Sequence, residues 1–168
     1  MSKLFDLKNK NVLLTGASKG MGLAMAQGLV NHGANVVISS RKLDQCEEAA
    51  KTINESVDKE KAFAFACNAS SKDELKALVE FSLSKLGSIT TLVCNAGVNS
   101  FFGSMSEIDD ESYDKTMNTN VKSNHWLINM VLPSMKESGG GSIMITSSIA
   151  AFHASDTLGT YSLSLIHI

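Results

Sequence analysis

The stretch TGASKGMG, residues 15–22, decides the fold of this 168-residue chain. It follows a short apolar run, NVLLT at 11–15, and precedes a helical pattern that opens at residue 21. Glycines between a strand and a helix let the backbone turn sharply and approach a phosphate, whose charge the helix N-terminus can meet. Glycines alone would also fit an ordinary turn, but their placement predicts a dinucleotide site. The residues expected to bind it are Gly16, Ser18, Lys19, Gly20, Met21 and Gly22.

Short apolar runs alternate with amphipathic stretches along the rest of the chain. This alternation is typical of a parallel sheet covered by helices on both faces. The predicted fold class is therefore α/β, a doubly wound, Rossmann-like parallel sheet in which five of the six expected strands are present. The predicted strands are 11–15, 35–39, 62–67, 91–95 and 142–147, and the predicted helices are 21–32, 43–57, 72–86 and about 110–136.

Several residues mark the ends of these helices. Ser71, followed three residues later by Glu74, predicts a capping box at the start of the third helix. Gly33 and Gly87 follow two of the predicted helices, where a left-handed residue is favoured.

Composition narrows the class of protein. The chain is 43% apolar and 19% charged with a formal net charge of −2, which fits one globular domain and offers no basic stripe for nucleic acid. Its cysteines, at 46, 67 and 94, are odd in number and widely spaced, which favours buried thiols over a zinc or redox site, and no metal cluster is visible. Neither a signal peptide nor an apolar run of about 20 residues is present. We expect a cytoplasmic protein that binds a small molecule or another protein.

The end of the second predicted strand indicates which dinucleotide is bound. Sites for NAD(H) usually place an acid there for the ribose 2′-OH, whereas this strand ends in Ser40 and Arg41, with Lys42 next and the first acid at Asp44. Serine and arginine can bind a 2′-phosphate, and Lys19 can approach the same group. NADP(H) is therefore favoured over NAD(H), the alternative being that Arg41 and Lys42 are a solvated pair at the start of a helix.

Four motifs in order resemble those of the short-chain dehydrogenase/reductase family, and the likeness covers most of the chain. TGASKGMG matches the family's TGxxxGxG, and CNAG at 94–97 matches its NNAG with Cys for the first Asn. Asn120 matches the active-site Asn, while Ser148 and Tyr161, thirteen residues apart, match the catalytic Ser and Tyr. The resemblance implies that these three residues are catalytic, and that Asn68, Asn95, Ala96 and Gly97 also bind cofactor.

The resemblance also implies a mechanism. In the family, the tyrosine hydroxyl exchanges a proton with the substrate oxygen while the nicotinamide carries the hydride. The serine polarises that oxygen, and the asparagine positions a water that relays protons.

Two residues depart from the family pattern. Asn68 stands where the family commonly has an Asp that contacts the adenine, which keeps an acceptor and loses the charge. Leu165 stands four residues after Tyr161, where the family has a lysine that favours the tyrosinate and binds the nicotinamide ribose. Leucine can do neither, so this chain is expected to be nearly inactive.

Two explanations of Leu165 remain open. The chain is a fragment, with an incomplete dinucleotide-binding domain at 1–164 and a non-native or truncated tail at 165–168, or it is a non-catalytic NADP(H)-binding regulatory or scaffold protein. Five strands instead of six favour the fragment. A chain that does not fold stably is a third possibility.

The resemblance implies a carbonyl or secondary alcohol as the substrate, without indicating which one. The loops 98–106 and 149–160 are expected to line its pocket, with Phe101, Phe102 and Phe152, whereas His153 is expected on a surface loop. Family members usually assemble as homodimers or homotetramers through the helices that carry the Asn and the Tyr. Candidates for that contact are Met117, Trp126, Met130 and Val131, which packing on the sheet would explain equally well.

Overall fold

Five parallel strands form one sheet in the computed structural model, which describes residues 3–153 and 155–166. Their order is β3-β2-β1-β4-β5, which confirms the predicted α/β fold, a doubly wound parallel sheet. The strands are β1 (Asn11–Thr15), β2 (Asn35–Ser40), β3 (Ala62–Ala66), β4 (Thr91–Cys94) and β5 (Ser142–Ile145).

Helices cover both faces of the sheet. The stretch predicted as helical over about 110–136 is helical throughout, but a π-helical turn, Asn118–Lys122, lies between α4 and α5. Short 3-10 turns stand at Lys3–Phe5 and Ile149–Ala151. The helices are α1 (Gly20–Asn31), α2 (Leu43–Val57), α3 (Lys72–Leu86), α4 (Asp110–Met117), α5 (Ser123–Glu137) and α6 (Gly159–Ile166).

Two apolar clusters, one on each face of the sheet, form the core. Successive residues of a strand point to opposite faces, so Val12 and Leu14 join one cluster and Leu13 joins the other. Because both clusters are buried, β1 is apolar at consecutive positions instead of alternating. The first cluster includes Ala26, Val30, Ala49 and Ile53 from α1 and α2; the second includes Leu75, Leu78, Leu127 and Val131 from α3 and α5.

The start of α3 forms half of the expected capping box. The Ser71 hydroxyl accepts a hydrogen bond from the Glu74 amide at 3.3 Å. The Glu74 carboxylate accepts from the Asn68 amide at 2.7 Å and so reaches the loop before the cap. The expected glycines are both left-handed, with φ of +104° at Gly33 and +77° at Gly87.

Asn54 of α2 fixes the start of β3. Its side-chain oxygen accepts from the amides of Lys61 and Ala62, both at 2.8 Å, and its amide nitrogen donates to the Ala62 carbonyl at 2.9 Å. We expect Asn54→Ala to lower the free energy of unfolding by about 2–3 kcal/mol, because several polar groups lose their partners. Urea unfolding measures the change. Asn129→Ala is the control, since the exposed side chain of Asn129 bonds, among the described residues, to His125 of its own helix. An equal loss in both variants would contradict this role.

In the described part of the chain, no helix is both long and apolar enough to cross a membrane. Of the tail expected at 165–168, Leu165 and Ile166 continue α6, and residues 167 and 168 lie outside the described residues.

Candidate active site

The glycine turn brings three backbone segments into close contact. Gly16 has a φ of +66°, and a Cβ atom there would lie 2.8 Å from the Cα of Ala96. A Cβ on Gly22 would meet the carbonyl oxygen of Gly16 and lie 2.8 Å from the side-chain nitrogen of Asn95. Only glycine fits both positions. The turn leads directly into α1, whose N-terminus begins at Gly20.

Asn95 braces this turn. Its side-chain nitrogen donates to the carbonyl oxygens of Thr15 at 3.2 Å and Gly16 at 2.9 Å. The backbone amides of Asn95 and Ala96 both donate to the Thr15 hydroxyl at 3.1 Å. These bonds tie the carboxyl ends of β1 and β4 together. The glycine turn of residues 15–22, which we call the cradle, is therefore held in a fixed shape.

A cleft of about 740 Å³ runs along the carboxyl edge of the sheet. Four cationic residues line it, namely Lys19, Arg41, Lys42 and Lys115, and its lining within the described residues contains no Asp or Glu. Sequence analysis missed Lys115, which lies one helical turn before Thr119, another lining residue. The expected cofactor residues that line the cleft are Gly16, Ser18, Lys19, Ser40, Arg41, Asn95, Ala96 and Gly97.

The cysteines offer no nucleophile to this cleft. All three are free and buried. Burial raises the pKa of Cys67, which lines the cleft, to about 12, with a further contribution from the charge of Glu74. Burial alone raises the pKa of Cys94 to about 12 and is the main cause of the raised pKa of Cys46. At neutral pH these groups are therefore thiols.

A second cavity of about 230 Å³ adjoins the cleft, since the segment from Asn95 to Val98 lines both. We call this second cavity the inner pocket. Met21 of the glycine stretch lines the inner pocket and is absent from the lining of the cleft. Its other walls come from the segment after β5 and from the helical segments, with Asn120, Asn124, Thr146, Ser147, Tyr161 and Leu165.

Asn120 clamps the loop after β4. Its side-chain oxygen accepts from the Val98 amide and its nitrogen donates to the Val98 carbonyl, both at 2.8 Å. The same nitrogen donates to the hydroxyl of Ser164 on α6 at 2.8 Å. Asn120 is 2% exposed, so its carboxamide is occupied in holding the walls of the inner pocket together.

Two carbonyl groups of the π-helical turn accept hydrogen bonds from side chains. In π geometry a carbonyl pairs five residues on. Here the Ser123 hydroxyl also donates to the Thr119 carbonyl at 2.5 Å, and the Asn124 side chain donates to the Asn120 carbonyl at 2.7 Å. Sequence analysis missed Asn124, although its spacing of four residues from Asn120 was a usable signal.

The two expected catalytic hydroxyls have different surroundings. Tyr161 is half-buried and lines the inner pocket. Ser148 does not line it; its oxygen accepts from the Ala150 amide at 3.2 Å and caps the 3-10 turn. The neighbouring Ser147 does line the pocket and donates to the Leu165 carbonyl at 3.2 Å.

Asn68 lies between residues that line the cleft, and its expected contact with the adenine stays a prediction. It is exposed and absent from the lining of the cleft, and its side-chain oxygen accepts from the Ser70 amide at 3.1 Å. An amide oxygen has two lone pairs, so it can also accept from a second donor such as the adenine amino group. Neighbouring residues line the cleft instead, namely Cys67, Ala69 and Ser70.

The expected substrate loops contribute little to the inner pocket. From the first loop only Val98 and Asn99 line it, while Phe102 and Phe152 are 74% and 82% exposed. His153 is exposed, as expected, and Ala154 lies outside the described residues. Of the candidates for a contact between subunits, Val131 is fully buried, and Trp126 and Met130 pack against the same apolar cluster.

Comparisons with known proteins agree with this geometry. The family model described as short chain dehydrogenase matches residues 10–164. Dehydrogenase/reductase SDR family member 4 of Homo sapiens is 37% identical over 165 residues, which cover 98% of this chain and 58% of that protein. The Caenorhabditis elegans protein of the same name is 36% identical over 155 residues, which cover 92% of this chain and 59% of that protein. The chain thus spans less than two thirds of these relatives.

Solved structures show the same architecture. L-Sorbose reductase from Gluconobacter frateurii, solved with NADPH and L-sorbose, is 28% identical with a TM-score of 0.92, and the match covers 97% of this chain and 61% of that one. An oxidoreductase from Escherichia coli is 24% identical with a TM-score of 0.89, over 99% of this chain and 68% of that one. The second likeness is one of fold alone.

Proposed function

Because the chain belongs to the short-chain dehydrogenase/reductase family of oxidoreductases, we propose that its site serves hydride transfer between NADP(H) and a carbonyl or secondary alcohol. The observation that carries the proposal is that the two cavities adjoin. A cationic cleft begins at the glycine turn and meets the inner pocket, which contains Tyr161, at the segment from Asn95 to Val98. NADP(H) is long and carries its negative charges on the central pyrophosphate and on the 2′-phosphate of its adenosine half, and these cavities suit that shape and charge.

The residues present fit NADP(H) better than NAD(H). A pyrophosphate and a 2′-phosphate carry several negative charges, and the cleft lining holds four cationic residues without an acid. Ser40 and Arg41 stand together where an acid would favour a free 2′-OH. The NADPH bound to L-sorbose reductase supports the same choice.

Arg41→Ala should weaken the binding of NADPH much more than the binding of NADH. We expect the Kd for NADPH to rise by about 10–100-fold, since a charge-assisted contact to the 2′-phosphate is lost. The Kd for NADH should change by less than about twofold, because NADH lacks that phosphate. Fluorescence titration measures both, and Lys59→Ala, at an exposed residue outside the cleft lining, is the control. An equal loss for both cofactors would contradict the assignment of Arg41.

Tyr161 and Ser148 are the proposed proton donor and polarising group. When bound, the nicotinamide supplies or accepts the hydride. Tyr161 lines the inner pocket, where its hydroxyl can pass a proton to a substrate oxygen. The Ser148 oxygen accepts from the Ala150 amide, and this residue lies outside the lining of the inner pocket, so its role as the polarising group rests on its match to the family motif. Asn120 holds the pocket wall through Val98.

A second candidate function rests on Leu165. This side chain is 6% exposed and lines the inner pocket, whose described lining contains no Lys or Arg. Leucine cannot supply the cation with which the family's lysine stabilises the tyrosinate and binds the nicotinamide ribose. We therefore propose that the chain as written binds NADP(H) with little hydride transfer, which also fits a regulatory or scaffold protein. Assembly as a homodimer or homotetramer and a cytoplasmic location remain part of the proposal.

A further inference from the structure

Ser164 of α6 is a buried serine that sequence analysis did not single out. It is 0% exposed. Its hydroxyl accepts from the side-chain nitrogen of Asn120 at 2.8 Å and donates to the Tyr161 carbonyl oxygen at 2.8 Å. One hydroxyl therefore joins the helix that carries Tyr161 to the side chain that clamps the inner pocket.

These bonds belong to a continuous network of hydrogen bonds through the site. Asn120 holds both the amide and the carbonyl of Val98, so its side chain is fixed from the side of β4. On the side of α6, the Ser164 hydroxyl accepts a hydrogen bond from the remaining N–H of the Asn120 side chain. A second bond, from the Ser147 hydroxyl to the Leu165 carbonyl at 3.2 Å, ties the same turn of α6 to the segment after β5.

The position of Ser164 on α6 links this hydrogen-bond network to Tyr161. Residues three apart on a helix are neighbours on its surface, so a tether at Ser164 fixes the face that presents Tyr161. A serine that only stabilised its own helix would need no second partner. Ser82 of α3 is such a residue, since it is also 0% exposed and bonds to the Leu78 carbonyl of its own helix at 2.7 Å.

We propose that Ser164 is a positioning residue, which fixes the Tyr161-bearing helix against Asn120 and so sets the place of the tyrosine hydroxyl in the inner pocket. The coupling of Ser164 to Asn120 and Val98 stands on the hydrogen bonds of this chain. Its consequence for hydride transfer rests on the proposed function. Two measurements therefore test the proposal, and the first needs no activity.

Hydrogen exchange at the Val98 amide tests the coupling in the chain as it exists. This amide donates to the Asn120 side chain. In Ser164→Ala we expect it to exchange at least about tenfold faster, because the clamp loses one support, while the amides of Leu13 and Val37 in the central strands keep their rates. In Ser82→Ala the rate at Val98 should not change. Equal rates at Val98 in the parent chain and Ser164→Ala would overturn the proposal.

Kinetics in a Leu165→Lys background test the consequence. We expect Ser164→Ala to lower kcat by about tenfold and to leave the Kd for NADPH within about twofold, because the reacting group is misplaced while the phosphate cradle is intact. Ser164→Cys, with a similar size and a weak donor and acceptor, should recover part of kcat, and Ser82→Ala should leave kcat unchanged.

The outcomes separate the two proposals. Faster exchange at Val98 with an unchanged kcat would show a structural tether only and would overturn the positioning role. If the Leu165→Lys background binds NADPH and transfers no hydride, the proposed hydride transfer fails. Exchange at Val98 then decides the Ser164 coupling by itself.

Discussion

Leu165→Lys is expected to raise the rate of hydride transfer from NADPH to a reactive carbonyl by at least about 100-fold over the parent chain, the lower end of what general acid–base catalysis contributes. Leu165 is 6% exposed and lines the inner pocket with Tyr161, four residues before it on α6. Residues four apart share a helix face, so an ammonium group there would stabilise the phenolate and meet the nicotinamide ribose. The rate is followed by loss of NADPH absorbance with a panel of carbonyl compounds.

Two control variants make this result specific. Leu165→Met keeps an uncharged side chain of similar volume and should stay at the rate of the parent chain. Tyr161→Phe in the Leu165→Lys background should return the rate to that level, because the proton donor is removed. A Leu165→Lys variant that binds NADPH and reduces none of the carbonyls would support the non-catalytic binding protein.

Gly22→Ala is expected to weaken NADPH binding by at least about 100-fold, which corresponds to about 3 kcal/mol. The new methyl group would meet the Gly16 carbonyl oxygen and would lie 2.8 Å from both the Ala17 Cα and the Asn95 side-chain nitrogen. Since these neighbours are backbone atoms and the brace that holds them, the phosphate cradle must open to admit the methyl group. Titration of NADPH fluorescence measures the loss.

Gly28→Ala is the matched control on the same helix. A Cβ atom at Gly28 has no neighbour within 4 Å. The substitution should leave the Kd for NADPH unchanged and stabilise the fold by about 0.5–1 kcal/mol, since alanine is favoured over glycine inside a helix. Equal loss of binding in Gly22→Ala and Gly28→Ala would contradict the close approach as its cause.

The fold was predictable because burial on both faces leaves a strong pattern in a parallel sheet. Consecutive apolar residues such as those of β1 mark a central strand, and the glycine stretch marks its carboxyl end. The third helix was predicted with the bounds that the structure shows, Lys72–Leu86, because its apolar stripe and its serine cap are local features. Local patterns therefore sufficed for elements whose geometry depends on near neighbours.

The missed features depend on residues far apart in the chain. The π-helical turn forms around Asn120, whose side chain bonds to Val98 and to Ser164, 22 and 44 residues away. No helical period carries that information. Asn68 shows a local bond that the motif match did not predict, since its side-chain oxygen accepts from the Ser70 amide, and its contact with the adenine stays a prediction. A motif match gives the position of a residue but not the direction of its side chain.

The crystal structure of the chain with NADPH tests the central claim most directly. We expect the pyrophosphate at the turn formed by residues 16–22, the 2′-phosphate against Ser40 and Arg41, and the nicotinamide in the inner pocket beside Tyr161. A dinucleotide bound elsewhere on the surface, or one whose nicotinamide lies outside the inner pocket, would contradict it.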